Sequence, residues 1–284
     1  MDQRELETLL SDLPLGGIRY FPKVGSTNDL ATRWARAGAA DFSLVVADEQ
    51  SAGRGRLNRQ WFTPPGSGLA LSVILRPENL PVDVISATPQ TDLHTAITRL
   101  TALGALAVCE TLNEALSPVL PAQIKWPNDV IATRRKLAGV LVELQWSGEK
   151  LIAAILGIGV NVTHASVPPP GEVNFPATCV EEVVDSPVDR WILLHDILVH
   201  LLRWREQMAS EKFLLAWLGR LAFRGEWVTI VLENKSEQDA PPSLEGQVAG
   251  LNSDGSLRLR LRSGEITPVH FGEIHLRPVD KPAN

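Results

Sequence analysis

The residues best suited to chemistry lie between Asp48 and Trp61, in the run Gln50-Ser51-Ala52-Gly53-Arg54-Gly55-Arg56-Leu57-Asn58-Arg59. Gly53 and Gly55 let the backbone approach a ligand closely, while Arg54, Arg56 and Arg59 supply forked donors suited to phosphate and carboxylate. Such a loop orders around an anion, although composition alone fits a solvated loop or an RNA-binding tail equally well. Four further blocks carry polar residues at informative places. Gly25-Ser26-Thr27-Asn28-Asp29 leads into a helical pattern, so its hydroxyls and first amides can hold a small polar head group or simply cap the helix. Lys125-Trp126-Pro127-Asn128-Asp129 ends a strand pattern; a Pro-Asn-Asp turn explains its last three residues but not the lysine. Arg135-Lys136-Leu137-Ala138-Gly139-Val140-Leu141-Val142-Glu143 puts a cation at the mouth of an apolar strand, where an ordinary surface lysine is the alternative. In Gly157-Ile158-Gly159-Val160-Asn161-Val162 two glycines and an asparagine share one strand face, leaving room for a flat ligand, as a barrel corner also would.

The elements that must position these blocks follow from periodicity and punctuation. Ser26 or Thr27 caps a helix over Asn28 to Ala37, which Asp29 favours at its positive end and Gly38 stops. Ser43 to Ala47 and Leu69 to Leu75 read as strands, and Asp92 to Leu116 as a long helix with an apolar stripe of Ile97, Leu100, Leu103, Leu106 and Ala107. Gln123 to Trp126, Leu137 to Trp146 and Leu151 to Val162 read as successive strands, the last two joined by a turn at Ser147-Gly148-Glu149-Lys150. After a Pro-rich loop (Val167 to Gly171), Val188 to Leu221 is helical. From Arg224 the chain changes to short strands at Trp227 to Leu232, Glu245 to Leu251 and Leu257 to Leu261, with Asp254-Gly255 and Ser263-Gly264 as hairpin turns. This pattern predicts an α+β layer with a mostly antiparallel or mixed sheet over residues 1–221, and a small SH3-like β-barrel over 222–284.

Composition narrows the function classes. With 44% hydrophobic and 21% charged residues, 284 residues can build a sizeable core. The net charge of -6 argues against a protein that mainly grips nucleic acid or an anionic membrane. Two cysteines, Cys109 and Cys179, stand seventy apart without a CxxC neighbour, so they read as buried small hydrophobes rather than a disulfide or zinc site. The first residues alternate charge where a signal peptide needs an apolar run, and Leu151 to Val160 and Trp191 to Leu202 fall short of the roughly 20 residues of a membrane span. The expected location is the cytosol.

Taken jointly and in this order, the blocks resemble those of the biotin protein ligase family, the biotin-[acetyl-CoA-carboxylase] ligases. Ser-Thr-Asn, Gly-Arg-Gly-Arg, Lys-Trp-Pro-Asn-Asp, Lys-Leu-Ala-Gly-x-Leu-Val-Glu and Gly-x-Gly-x-Asn all occur, and Phe271-Gly272-Glu273-Ile274-His275-Leu276-Arg277 is similar to the close of the family's C-terminal domain. The resemblance implies a catalytic domain like that of class II aminoacyl-tRNA synthetases, a C-terminal SH3-like domain, and ATP and biotin as substrates with Mg²⁺. Biotinyl-5'-AMP would form first and then be transferred to a lysine of a biotin carboxyl carrier domain.

By motif position, Ser26, Thr27, Asn28 and Gln50 meet biotin's head, and Gly53, Arg54, Gly55 and Arg56 close over biotin and the adenylate. Lys136 stands at the junction of carboxylate and phosphate as the first catalytic candidate, with Arg54 and Arg56 screening charge. Asp129 ligates Mg²⁺ or orients the acceptor amine. Gly157 and Gly159 floor the pocket, and Arg54, Arg59, Lys125, Asn128 and Asn161 meet the nucleotide; Trp126 packs. The sequence departs from the family at Leu57-Asn58, where another Arg-Gly often follows. Only 25 residues precede Ser26, too few for the helix-turn-helix domain of bifunctional members, so DNA binding is not expected; nor is a membrane partner. Family members occur as monomers and as dimers, which leaves a homodimer open. The competing readings are a lipoate or octanoate protein ligase of the same fold and a non-catalytic biotin-sensing regulator.

Overall fold

The computed structural model describes residues 1–81, 93–115, 121–169, 175–231, 243–270 and 273–275. Asp92 and Leu116 at the ends of the expected long helix lie outside them, as do Pro170 and Gly171, Leu232, and Phe271, Gly272, Leu276 and Arg277 of the closing motif.

The larger layer is a seven-stranded sheet built from β1 (Gly17–Val24), β2 (Ser43–Gln50), β3 (Gly68–Leu75), β4 (Gln123–Lys125), β5 (Asp129–Ala132), β6 (Arg135–Ser147) and β7 (Lys150–Asn161). Their order is β1-β2-β3-β7-β6-β5-β4. The β1 and β2 strands run parallel and every other described neighbour pair in this sheet is antiparallel, so the sheet is mixed. Side chains alternate between the two faces of a strand. On one face Leu69, Leu71 and Val73 of β3, Leu156, Ile158 and Val160 of β7 and Ala138 and Val140 of β6 join the main core. The long helix α3 (Leu93–Ala115) and α5 (Arg190–Arg205) cover that face. Helix α3 has the length and apolarity of a membrane span, yet Leu100, Leu103, Leu106 and Leu112 are fully buried in the core.

On the opposite face α2 (Thr27–Arg36) packs Ala31 and Ala35 over Val45, Ile74, Ala153 and Ile155. Beyond that small cluster the same face continues as Gly157, Gly159 and Asn161 of β7, paired across to Leu141 and Gly139 of β6 and to Ser72 and Ala70 of β3. This uncovered half of the face is where the polar blocks gather.

Several elements depart from the sequence reading. Helix α1 (Gln3–Leu9) was not expected; its signal is the Asp2 and Glu5 capping box. Strand β5 adds a hairpin before Lys136, and its turn residues Thr133 and Arg134 take φ of 49° and 60°, the pair of positive values a tight two-residue hairpin needs. The single helical run over Val188 to Leu221 divides into α5 and α6 (Glu211–Arg220), because Ser210 accepts from the Phe213 N–H and starts a new helix. A short helix α4 (Val180–Val184) precedes them. Gly38 takes a φ of 90° just past α2, as a helix stop requires.

The C-terminal strands β8 (Trp227–Val231), β9 (Ser243–Leu251), β10 (Leu257–Arg260), β11 (Ile266–Val269) and β12 (Glu273–His275) form a five-stranded antiparallel sheet ordered β11-β10-β9-β8-β12. Trp126 ties it to the larger layer: the indole is 1% exposed and its Nε1–H donates to Gly255 O at 3.1 Å. Both cysteines are buried and unpaired, as expected.

Candidate functional site

The polar blocks converge on a cleft of about 1120 Å³, more than one small ligand needs. It is lined by Ser26, Thr27, Asn28, Gln50, Arg54, Gly55, Arg56, Arg59, Lys125, Asn128, Asp129, Lys136, Gly157, Gly159 and Asn161, that is, by nearly every expected site residue. Gly53 stands behind the loop, where an added Cβ would lie 2.6 Å from Trp61 O.

One end is rich in hydrogen-bonding groups, uncharged where they line the start of α2. Ser26, Thr27 and Asn28 are each 4% exposed at the start of α2. Ser26 occupies the cap position but its hydroxyl makes no cap bond; instead Gln50 Oε1 accepts from the Thr27 N–H at 2.9 Å. Ser72 Oγ lies 2.8 Å from Thr27 Oγ1 and donates to Asn28 Oδ1 at 2.6 Å, while Asn28 Nδ2 donates to Glu143 Oε2 at 2.6 Å. Gly157 must lack a side chain, because a Cβ there would sit 2.3 Å from Asn28 Oδ1.

The opposite end is cationic. Asp129, 8% exposed, receives Lys125 Nζ at 3.2 Å on one oxygen and Lys136 Nζ at 2.6 Å on the other. The Lys136 contact is an ion pair without hydrogen-bond alignment, so Oδ1 remains a poorly satisfied acceptor. Burial alone would raise the Asp129 pKa, but the two ammonium groups outweigh it and hold the carboxyl down at about 2. Two lysines against one aspartate leave a positive balance. Arg56 adds to it, its Nη1 standing 3.4 Å from Asn128 Oδ1. Asn161 Nδ2 donates to Thr178 O, and the Thr178 N–H donates to Lys136 O, which pins the segment after Phe175 against the start of β6.

The arginine loop lies over the middle. It is a tight excursion in which the Trp61 N–H donates to Gly53 O at 2.8 Å and the Gly55 N–H to Arg59 O at 2.7 Å. Leu57, half exposed, takes a φ of 56°. Trp61 seals the floor: a Cβ on Gly159 would come within 2.3 Å of its indole, and its ring centroid is 5.3 Å from Lys136 Nζ. The two loop arginines part company. Arg56 points to the cationic end, whereas the Arg54 guanidinium binds Asp29 at 2.7 Å and Glu143 at 3.1 Å, among the head-end groups. Burial would lower the Arg54 pKa, but these two carboxylates raise it, so its charge is secure. Both arginines belong to the loop over the cleft, as expected, but their guanidinium groups face opposite ends of it.

Sequence reasoning left Ser72, Trp61, Glu143, Asp29 and Phe175 without a role in the site. Asp29, Trp61 and Glu143 stood within the quoted blocks; Ser72 and Phe175 carried no signal, since only strand register and chain return bring them in. A second cluster, His164, Cys179 and Glu182, places its ligand atoms within 4.8 Å of one another. Its Cys179 is buried and both Glu182 oxygens are taken, by Arg135 and by the Thr178 hydroxyl at 2.6 Å.

Comparison with known proteins gives a consistent picture. The family model described as the biotin/lipoate A/B protein ligase family matches residues 20–161. A biotin--[acetyl-CoA-carboxylase] ligase of Paracoccus denitrificans is 32% identical over 260 residues, covering 88% of this chain and 98% of that protein. The bifunctional ligase/repressor BirA of Bacillus subtilis is 30% identical over 261 residues, 90% of this chain and 73% of its own length. Among solved structures, the biotin protein ligase of Aquifex aeolicus in complex with biotin and ATP superposes with a TM-score of 0.72 at 26% identity, covering 92% of this chain and 99% of that one.

Proposed function

Because this chain belongs to the biotin/lipoate A/B protein ligase family, we propose that it is an ATP-dependent biotin protein ligase that forms biotinyl-5'-AMP and passes the biotinyl group to a lysine of a biotin carboxyl carrier domain. The observation that carries this reading is the polarity of one sheet face. From Gly157 to Asn161 it runs about 13 Å, at the usual strand rise, from a hydrogen-bonding pocket with no excess of positive charge to a positively charged end. A ligand with an uncharged polar head, a flexible chain and a terminal carboxylate matches that sequence of environments.

On this reading Ser26, Thr27, Asn28 and Gln50 hold the ureido head, which needs both donors and acceptors. The missing side chains of Gly157 and Gly159 let Asn28 and the Trp61 indole pack against the strand, so that these two side chains, rather than the sheet itself, face the ligand. The carboxylate then attacks the α-phosphate of ATP, releasing pyrophosphate, and the acceptor amine attacks the resulting mixed anhydride, releasing AMP. Carboxylate and triphosphate repel each other, so the protein's contribution is to hold both beside fixed cations. Lys136, Lys125 and Arg56 supply those charges; Arg59, Asn128 and Asn161 complete the nucleotide side. Asp129 keeps the two ammonium groups apart and aimed.

Magnesium fits this aspartate poorly. A dication drawn to Asp129 would meet Lys125 and Lys136, each already on one of its oxygens, and a hard cation needs several oxygen ligands at once. The same reading divides the chain into residues 1–221, a catalytic α+β domain like that of class II aminoacyl-tRNA synthetases, and 222–284, an SH3-like β-domain, both in the cytosol with the carrier.

Isotope exchange between pyrophosphate and ATP tests the first step. Exchange by the purified protein should require biotin; exchange supported by lipoate or octanoate but not by biotin would overturn the choice of substrate.

A further inference from the structure

Glu143 sits where the head pocket and the arginine loop meet. It lies on the site face of β6, four residues or about 13 Å along the strand beyond Gly139, the residue against which the Lys136 ammonium is folded. Its hydrogen-bond partners are groups of the head end and not the two lysines on Asp129. Its Oε2 accepts from Asn28 Nδ2 at 2.6 Å, and both carboxylate oxygens accept from Arg54 Nη2, at 3.1 and 3.2 Å. Arg54 Nη1 is held in turn by Asp29 at 2.7 Å, from the first turn of α2. One carboxylate thus joins three pieces of chain distant in sequence: the start of α2, the arginine loop and the middle of β6.

Resting on the functional reading above, we propose that Glu143 is a positioning residue that works through Asn28 and Arg54. Toward Asn28 it fixes the amide orientation: with Nδ2 given to a carboxylate and Oδ1 facing the Ser72 hydroxyl, the amide presents one arrangement of donor and acceptor to a head group. Toward Arg54 it is the fixed half of a clasp. The guanidinium is held at the head end, which draws the backbone of Arg54 and Gly55 over the pocket and leaves the anion to Arg56, Lys125 and Lys136. The loop arginines therefore divide the work, Arg54 holding the lid and Arg56 meeting charge.

Neutralising Glu143 should loosen the grip on the head group and leave the chemistry at the other end intact. In biotin-dependent pyrophosphate exchange, Glu143→Gln should raise the KM for biotin about 10- to 100-fold, the range expected for charge-assisted hydrogen bonds, with kcat and the KM for ATP within about threefold. Arg54→Gln should act in the same direction. The double variant should be little worse than the weaker-binding single, because both remove one shared interaction. Asp29→Asn, at a half-exposed helix position, interrupts the other limb of the clasp without touching the core and should raise the biotin KM more modestly. A wild-type biotin KM in Glu143→Gln and Asp29→Asn, a fall in kcat at unchanged biotin KM, or additive single effects would each overturn the proposal. Trypsin cleavage after Arg56 and Arg59 in the substrate-free protein judges the clasp by itself: it should be faster in Glu143→Gln than in wild type, and equal rates would refute it. A wild type that shows no biotin-dependent exchange would sink the functional reading while leaving that protease comparison decisive for the clasp.

Discussion

Replacing Asp129 by asparagine tests the cationic end of the cleft most severely. The carboxylate stands between two ammonium groups, and Lys125 has only 7% of its side chain exposed, against 26% for Lys136. Lys136 can rehydrate when the charge is removed; Lys125 cannot. Breaking a buried ion pair from one side costs roughly 3 to 5 kcal/mol, and the partial freedom of Lys136 puts the expected loss at the low end, about 3 kcal/mol. For a chain of this size that corresponds to a drop in Tm of roughly 6 to 12 °C by calorimetry at neutral pH. The acid limb gives a second reading. The Asp129 pKa is depressed from 3.8 to about 2, so its contribution is present above pH 4 and is lost as the pH falls from about 4 to 2. Nearly two pKa units correspond to about 2 kcal/mol. That part of the acid destabilisation should vanish in Asp129→Asn, and Lys125→Met added to it should recover most of the lost stability. A variant with wild-type Tm and an unchanged acid limb would refute the claim that Asp129 holds this end together.

Lys136→Ala should reduce biotin-dependent pyrophosphate release about a thousandfold in a protein that still folds, with a lower Tm because Asp129 keeps only Lys125; near-normal release would remove Lys136 from the mechanism. Gly159→Ala puts a methyl group within 2.3 Å of the Trp61 indole, so the ring must move and biotin affinity by titration calorimetry should fall at least tenfold; unchanged affinity would show that Trp61 does not seal the pocket. Trp126→Phe removes the hydrogen bond to Gly255 O and should cost about 1 to 2 kcal/mol in urea unfolding, an effect whose absence would deny this contact a part in holding the C-terminal sheet.

How far the sequence speaks depends on how local the signal is. Gly157, Gly159 and Asn161 were legible as sharing one strand face because a period of two is written into the strand itself. Gly38 and the Ser147-Gly148 turn were legible because glycine marks the positive φ, 90° and 58°, that each place requires. Strand β5 was not: Asp129–Ala132 is only four residues long and buried throughout, so it shows no alternation, and its turn uses Thr133 and Arg134 where glycine or asparagine would have announced it. The break between α5 and α6 hid in continuous apolar spacing, with Met208 and Phe213 buried on either side of the Ser210 cap. Arg54 shows the limit most clearly. Its guanidinium suits an anion wherever it points, and only the register that sets Glu143 beside Ile155, past Gly157, places a carboxylate within its reach. Ser72 entered the site in the same way, through its pairing with Gly157.

Transfer of label to a carrier domain tests the central claim most directly. The purified protein, Mg-ATP and biotin should add one biotinyl group to a single lysine of a biotin carboxyl carrier domain, seen by intact mass and peptide mapping. A carrier left unmodified under these conditions, or modified only when lipoate or octanoate replaces biotin, would contradict the account.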